Sequence, residues 1–304
     1  MRKAILGALL LVFAAAISVG SSKTESAPAF GEVFPTAAFP GIQVPASNFN
    51  LDLAVIEYAP GAFSATDSHQ GTRFFVVMEG ELSISVGDKT AAYGAGKSVM
   101  SPAGAVTKLS NLGTKPARVY YSAIVPAWAA SNPASVIASA SATPPKTVLS
   151  ASVPVKETRS VVNVVLMAFW FDPGAALPNH IMNEYNRGLV LEGTASFEYL
   201  DGGKESYTAG QVFDMYQDRP GTQANRSTAR HAASHTWLAT PGKELVTFLP
   251  APTGLGAPST GDAGLAAESD AALPGWALAG AGLGATAGAV LIVLRGRRRI
   301  MTRR

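Results

Sequence analysis

The sequence predicts an all-β chain built from two copies of one strand-rich unit, each folded as a sandwich or barrel. The first observation is alternation. Leu82-Ser83-Ile84-Ser85-Val86 runs apolar and polar in turn, as a strand with one buried face does. The second is composition by segment. Val119 to Val125 and Val161 to Phe171 are rich in β-branched and aromatic residues, and Gly87-Asp88 and Asp201-Gly202-Gly203 fall where hairpins turn. Neither block, 49–126 or 155–250, holds a long segment of helical periodicity. The third is an internal repeat. Pro60-Gly61 and Pro173-Gly174 end apolar runs 113 residues apart, and Gly80 and Gly193 each follow 19 residues after the glycine of that pair. Tyr93-Gly94-Ala95-Gly96 matches Tyr207-Thr208-Ala209-Gly210, and Asn111 matches Asn225, both at an offset of 114. The offset changes by one residue at a hairpin turn, where an insertion costs little.

Composition narrows the function. The 304 residues include no cysteine, which removes disulfides, thiolate metal sites and cysteine nucleophiles. Charged residues make up 15%, against about 25% in an average soluble chain, so part of the chain is expected outside water. The basic excess sits at the ends: Arg2, Lys3, Arg295, Arg297, Arg298, Arg299, Arg303 and Arg304. Setting those eight aside leaves 16 of the 24 basic residues against 21 acidic ones, a net of −5. A nucleic-acid binder needs its basic patch on the folded body, so no nucleic-acid partner is expected.

The ends predict an address. Residues 1–22 combine a basic start, an apolar run from Ala4 to Val19 and the small residues Gly20, Ser21 and Ser22, the pattern of a secretory signal. Residues 273–294 form 22 positions without a charge, opened by Leu273, Pro274 and Trp276 and followed by the arginine tail. That is long enough to cross a bilayer, and the tail places the C-terminus in the cytoplasm. A single-pass protein with its body outside the cytoplasm follows, its C-terminal helix being the membrane contact. Gly280, Gly284 and Gly288 lie on one face of that helix, a spacing that suits helix pairing. The segments 23–48, 127–154 and 251–272 are Pro-, Ala-, Ser- or Gly-rich and are expected as linkers, the last one a stalk. Phe30, Phe34 and Phe39 give the first of them anchors for an extra strand.

The repeated positions resemble the cupin family. In the first copy Gly61, Asp67-Ser68-His69, Arg73 and Gly80, then Gly96, Pro102-Ala103-Gly104, Thr107 and Asn111, fall at the spacing of the two cupin motifs. In the second copy the frame reads Gly174, His180-Ile181-Met182, Asn186 and Gly193, then Gly210, Tyr216, Asp218, Gly221 and Asn225. The resemblance implies a bicupin, two tandem cupin barrels of the double-stranded β-helix or jelly-roll type, covering cupin domain 1 (49–126) and cupin domain 2 (155–250). It also implies where a metal would sit. Cupins hold a divalent ion with three His and one Glu, and here those positions carry Asp67, His69, Arg73 and Thr107 in one copy and His180, Met182, Asn186 and Gly221 in the other. Only His69 and His180 keep the family ligand. Arg73 puts a fixed cation where the carboxylate belongs, so no metal cofactor is expected. Glu184, by strand alternation, is expected to face inward with His180 and Met182. His231 and His235, four apart on one strand, are too far from each other to share an ion and are expected as ordinary polar positions. The sequon Asn225-Arg226-Ser227 coincides with the structural Asn of the second copy and is discounted as a glycosylation site.

Three functions remain open. The first is a non-catalytic binding or accessory protein whose pockets, Asp67, His69, Arg73 and Thr107 in one copy and His180, Met182, Glu184 and Asn186 in the other, recognise a small polar or anionic molecule. The second is a cupin-type enzyme: metal-free and epimerase-like, with Asp67 orienting His69 as base and Tyr93 or Tyr121 as acid, or an oxidase, dioxygenase or decarboxylase with an atypical metal site. The third is a structural envelope module, with a homodimer formed by exchange of N-terminal strands.

Overall fold

The computed structural model describes residues 29–45, 48–129, 143–215 and 218–250. The expected signal, stalk, membrane helix and tail, and Tyr216, lie outside the described residues. Among the described residues no helix is long and apolar enough to cross a membrane.

Everything regular in the described residues is strand. The order is β1 (Phe30–Gln43), β2 (Phe49–Tyr58), β3 (Asp67–Ser68), β4 (Thr72–Glu79), β5 (Glu81–Val86), β6 (Lys89–Gly94), β7 (Ser98–Ser101), β8 (Val106–Ser110) and β9 (Ala117–Pro126). It continues with β10 (Lys146–Val155), β11 (Val161–Phe171), β12 (His180–Met182), β13 (Tyr185–Glu192), β14 (Thr194–Tyr199), β15 (Lys204–Thr208), β16 (Val212–Met215), β17 (Gly221–Ala224), β18 (His231–Ala239) and β19 (Val246–Phe248). Barrel 1 closes the sheet β10-β2-β9-β4-β7 over the sheet β3-β8-β5-β6. Barrel 2 closes β1-β11-β18-β13-β16 over β15-β14-β17-β12-β19.

The two large sheets each take an edge strand from the other side of the chain. β1 precedes barrel 1 in sequence but pairs with β11 of barrel 2. β10 precedes barrel 2 but pairs with β2 of barrel 1. Each barrel thus takes one edge strand from the other half of the same chain. The sheets then share a core of Phe34, Leu51, Leu53, Phe74, Tyr120, Val164, Leu166 and Leu238, and the Tyr120 hydroxyl meets Thr236 Oγ1 across it at 3.2 Å.

β10 corrects the linker reading of 127–154. Its second half, with Pro144 and Pro145 just before it, has the composition of a linker. Yet Thr147, Leu149, Ala151 and Val153 are half-buried while Lys146, Val148, Ser150 and Ser152 face out. The alternation is real, and it becomes a strand because β2 offers a partner edge. Pro154 is tolerated because β10 is an edge strand.

The repeat is visible in the hydrogen bonds. Asn111 Nδ2 donates to Tyr58 O and Lys115 O, both at 2.8 Å, and Gly113 N donates to Asn111 Oδ1 at 2.9 Å. Asn225 Nδ2 donates to Phe171 O at 2.9 Å and Ala229 O at 2.8 Å, and Ser227 N donates to Asn225 Oδ1 at 3.0 Å. Both asparagines are buried and tie the strand entering the repeat to the hairpin leaving it. Gly80 and Gly193 both take positive φ, and a Cβ there would run into the carbonyls of Pro116 and Arg230. Only glycine fits such a position.

Candidate functional site

The interior of barrel 1 is charged. Facing positions on four neighbouring strands form one row: Asp52 opposite Ala123, Ala123 opposite Arg73, and Arg73 opposite Ser101. The small Ala123 stands between the two charged residues of the row. Arg73 is 1% exposed, and its Nη1 donates to Asp67 Oδ1 at 2.8 Å, with Asp67 38% exposed at the mouth. Arg73 Nη2 lies 3.5 Å from Ala105 O, and Arg73 Nε has no hydrogen-bond partner. Thr107 stands opposite Asp67 across β8 and shares a 2.6 Å hydrogen bond with Ser101. Three of the four expected residues therefore meet as one polar cluster.

His69 stands beside that cluster without joining it. Its Nδ1 lies 3.0 Å from Gly71 N and 3.2 Å from Gly71 O, so the Gly71 backbone holds the ring. Asp67 bonds to Arg73, and the Asp67–His69 pair considered for a metal-free enzyme is not formed. Burial lowers the His69 pKa, and Arg73 pushes the same way. Tyr121, one row along from Ala123, is fully buried, and its hydroxyl has no partner. Burial raises its pKa far above the ordinary phenol range, and Asp52 adds to the shift. Tyr93 is half-buried, on β6 at the edge of its sheet, beside a surface cleft of about 420 Å³ with Ile84, Val86, Met100 and Pro102. Asp52 was missed in the sequence. It reads as one polar residue in an apolar run, and only the pairing with β9 shows that it faces the barrel.

Around Asn186 the interior of barrel 2 is neutral. Asn186 Nδ2 lies 3.8 Å from Met182 Sδ and 3.9 Å from Met215 Sδ, and it donates to His235 Nδ1 at 3.2 Å. His180 Nδ1 meets Pro178 O at 2.8 Å, leaving Nε2 without a partner. Gln223 Nε2 is 3.4 Å from His231 Nε2, and the His231 ring stacks on Phe171 with centroids 4.7 Å apart. Trp237 stacks on His235 at 5.2 Å. His231 and His235 are thus buried residues of the barrel wall and not ordinary polar positions, because β18 faces both barrels with no side left to solvent. Burial lowers the pKa of His180, and that of His231 to about 4 and of His235 to about 3.

Glu184 is not part of this wall. Its carboxylate is 2.7 Å from Arg159 Nη1 and 3.3 Å from Lys243 Nζ. Arg159 also bonds Glu157 at 2.6 Å and Thr240 at 2.8 Å. β12 ends at Met182 and β13 begins at Tyr185, so Glu184 sits in the turn between them, where alternation no longer applies.

The divalent metal of the cupin family does not fit either barrel. In barrel 1 the guanidinium of Arg73 fills the carboxylate position and takes Asp67 for itself. In barrel 2 the equivalent positions hold a thioether, an amide and Gly221. Among the described residues, no three His, Asp or Glu side chains are grouped to hold an ion.

Residues 54–123, within the segment from β2 to β9, match the family model of the cupin domain, and barrel 2 repeats the strand order of that segment. No curated protein matches the sequence. Among solved structures, AerE from Microcystis aeruginosa is similar at 15% identity and TM-score 0.41 over 70% of this chain and 97% of that one. A serine-to-alanine mutant of Bacillus subtilis oxalate decarboxylase OxdC is similar at 12% identity and TM-score 0.47 over 72% of this chain and 80% of that one.

Proposed function

We propose that the chain is a non-catalytic binding or accessory protein of cupin type, tethered outside the cytoplasm, whose barrel 1 holds a small polar or anionic molecule. The observation that carries the reading is a pair of buried donors with no acceptor, Arg73 Nε and the Tyr121 hydroxyl. Each such group costs about 1–3 kcal/mol while unpaired, and a ligand oxygen placed between them recovers that cost. Asp67, half-exposed at the mouth beside Arg73, gives the ligand a polar edge to enter by. The address rests on the uncharged run 273–294, the arginine tail and the leader-like residues 1–22.

The test is thermal unfolding of the full chain against a panel of small carboxylic acids and sugars. At least one compound is expected to raise the melting temperature in a saturable way, with the rise lost in Tyr121→Phe and in Arg73→Leu. A panel without effect on the wild type, or an effect that both variants keep, defeats the reading and leaves Arg73–Asp67 as an internal closure. Turnover of any panel compound, lost in Tyr121→Phe, would make barrel 1 an enzyme instead. Protease added outside intact cells tests the tether: it is expected to remove the barrels and spare the C-terminal tail.

A further inference from the structure

Barrel 1 has an open seam where barrel 2 has a filled one. β6 and β7 are end strands of the two sheets of barrel 1, and β15 and β16 hold the same places in barrel 2. The cleft of about 420 Å³ lies along the barrel 1 seam, lined by Ile84, Val86, Ala91, Val99 and Ala105 among others. The repeat offset, 113 before the hairpin turn and 114 after it, gives their counterparts as Phe197, Tyr199, Glu205, Phe213 and Arg219. Every counterpart is larger. In barrel 2 the rings of Phe197, Tyr207 and Phe213 meet one another with centroids 4.8, 5.8 and 5.9 Å apart. The Arg219 guanidinium covers the Tyr199 ring at 3.6 Å. No neighbour on β4 makes up the difference in barrel 1. Phe75, opposite Val99, packs its ring on Tyr121 at 5.6 Å and does not line the cleft.

The groups missing from barrel 1 have a definite chemistry. In barrel 2 the Glu205 carboxylate accepts from the Tyr207 hydroxyl at 2.9 Å and the Tyr199 hydroxyl at 3.3 Å, and it pairs with Arg219 at 3.4 Å. Barrel 1 carries Ala91 in place of that carboxylate, while Tyr93 keeps the phenol of Tyr207. It also keeps a cation. Lys89 holds the place of Gly203, where a Cβ would stand 2.1 Å from Arg219 Nη2, so the lysine stem starts where that guanidinium lies. Lys89, Ala91 and Tyr93 share one face of β6 and line the cleft. A carboxylate held over Ala91 is flanked by an ammonium and a phenol, each rooted about 7 Å along the strand. Asp88, in the turn, is rooted about 10 Å from Ala91. The space suits a ring as well: a protein cavity of about 150 Å³ already admits benzene, which leaves room here for a short acidic arm.

We propose that the seam of barrel 1 binds a small aromatic carboxylic acid, its ring taking the place that Phe197 and Phe213 fill in barrel 2 and its carboxylate lying over Ala91 between Lys89 and Tyr93. The proposal does not rest on the reading of Arg73 and Tyr121 in the barrel interior, since neither lines the cleft. The probe is phenylacetate, titrated into the full chain and followed by calorimetry and saturation-transfer NMR. Acetate and 2-phenylethanol supply the charge alone and the ring alone. Phenylacetate should bind saturably at one site per chain, and each control at least about tenfold more weakly, the scale of one charge-assisted hydrogen bond. Tyr93→Phe should weaken phenylacetate by about the same factor. Ala91→Glu restores the carboxylate of barrel 2 at an exposed position, and its like charge should weaken phenylacetate by at least about tenfold. Ala92→Glu, exposed on the other face of β6, should bind phenylacetate as the wild type does, and all three variants should keep the wild-type melting temperature. Absence of phenylacetate binding, or 2-phenylethanol binding as tightly, would overturn the proposal. So would equal weakening by Ala92→Glu. Full binding in both Ala91→Glu and Tyr93→Phe would overturn it as well, and would leave the interior reading standing.

Discussion

Phe34→Ala tests whether the two barrels stand as one cooperative unit. Phe34 is 2% exposed. It lies on β1, which hydrogen-bonds to β11 of barrel 2, yet its ring meets Tyr120 of barrel 1 with centroids 5.4 Å apart. Truncating a buried phenylalanine costs about 3–5 kcal/mol. At about 2–4 °C per kcal/mol for a body of this size, the melting temperature should fall by about 6–20 °C. The assay is urea unfolding followed at two places: Trp237 fluorescence for barrel 2, and amide exchange of β4 and β9 for barrel 1. Because β1 is an edge of one barrel and packs on the other, both signals should shift together, with an unchanged denaturant slope. A loss below about 1 kcal/mol, well under the range for a core phenylalanine, would refute the packing argument. Opening of barrel 2 while β4 and β9 keep their protection would refute the coupling.

Other consequences are equally direct. His231 has its pKa lowered to about 4 by burial, below the unfolded value near 6.5. Above that unfolded value its protonation does not alter stability. As pH falls from about 6.5 to about 4 the unfolded chain takes a proton that the folded chain refuses, so stability drops by about 1.4 kcal/mol per pH unit. Urea midpoints at pH 7 and pH 5, in the presence of a chelator, should show a shallower fall in His231→Gln. Asp67→Ala leaves the buried Arg73 guanidinium without its partner and should cost about 3–5 kcal/mol, whereas Arg73→Leu leaves a carboxylate that reaches water and should cost less; urea unfolding of the two variants checks the order. Asn225→Ala removes two donations to carbonyls, one of them buried, and should cost about 2–3 kcal/mol, with Asn111→Ala matching it, both read by urea unfolding.

The positions legible in the sequence are those that backbone geometry dictates. Gly80 and Gly193 stand 113 residues apart because both turns need positive φ with a carbonyl close by, and Asn111 and Asn225 because the same three backbone groups need the same side chain. Those demands survive when the contents of a barrel change, so the repeat and the barrels could be read. β10 could not, because its alternation is carried by Thr, Leu, Ala and Val among Ser and Pro, and its strand exists through β2. Glu184 was misplaced for a local reason: a two-residue turn interrupts the strand and breaks the parity that alternation assumes. His231 lies too far along β18 to meet His235, and two of the contacts of His235 come from Asn186 on β13 and Phe213 on β16, which no spacing along β18 can show.

The two barrels differ most where the repeat aligns their family ligand positions. Asp67 answers to His180, His69 to Met182, Arg73 to Asn186 and Thr107 to Gly221. In barrel 1 these replacements are coupled: a buried guanidinium requires a carboxylate within reach, and Asp67 supplies it at 2.8 Å. Barrel 2 has neither charge, and losing one makes keeping the other costly. The space is closed instead by sulfur and aromatic rings: Phe213 meets His235 edge-on at 5.3 Å, and His235 stacks on Trp237 at 5.2 Å. Gly221 completes the change, since a Cβ there would stand 2.6 Å from Glu198 O, and β17 can lie against β14 only without one. Each interior is therefore a consistent set, one built around an ion pair and one around neutral soft groups, and a single substitution from one set placed in the other barrel would lack its partner. That mutual exclusion is why the same fold, repeated in one chain, carries two different interiors.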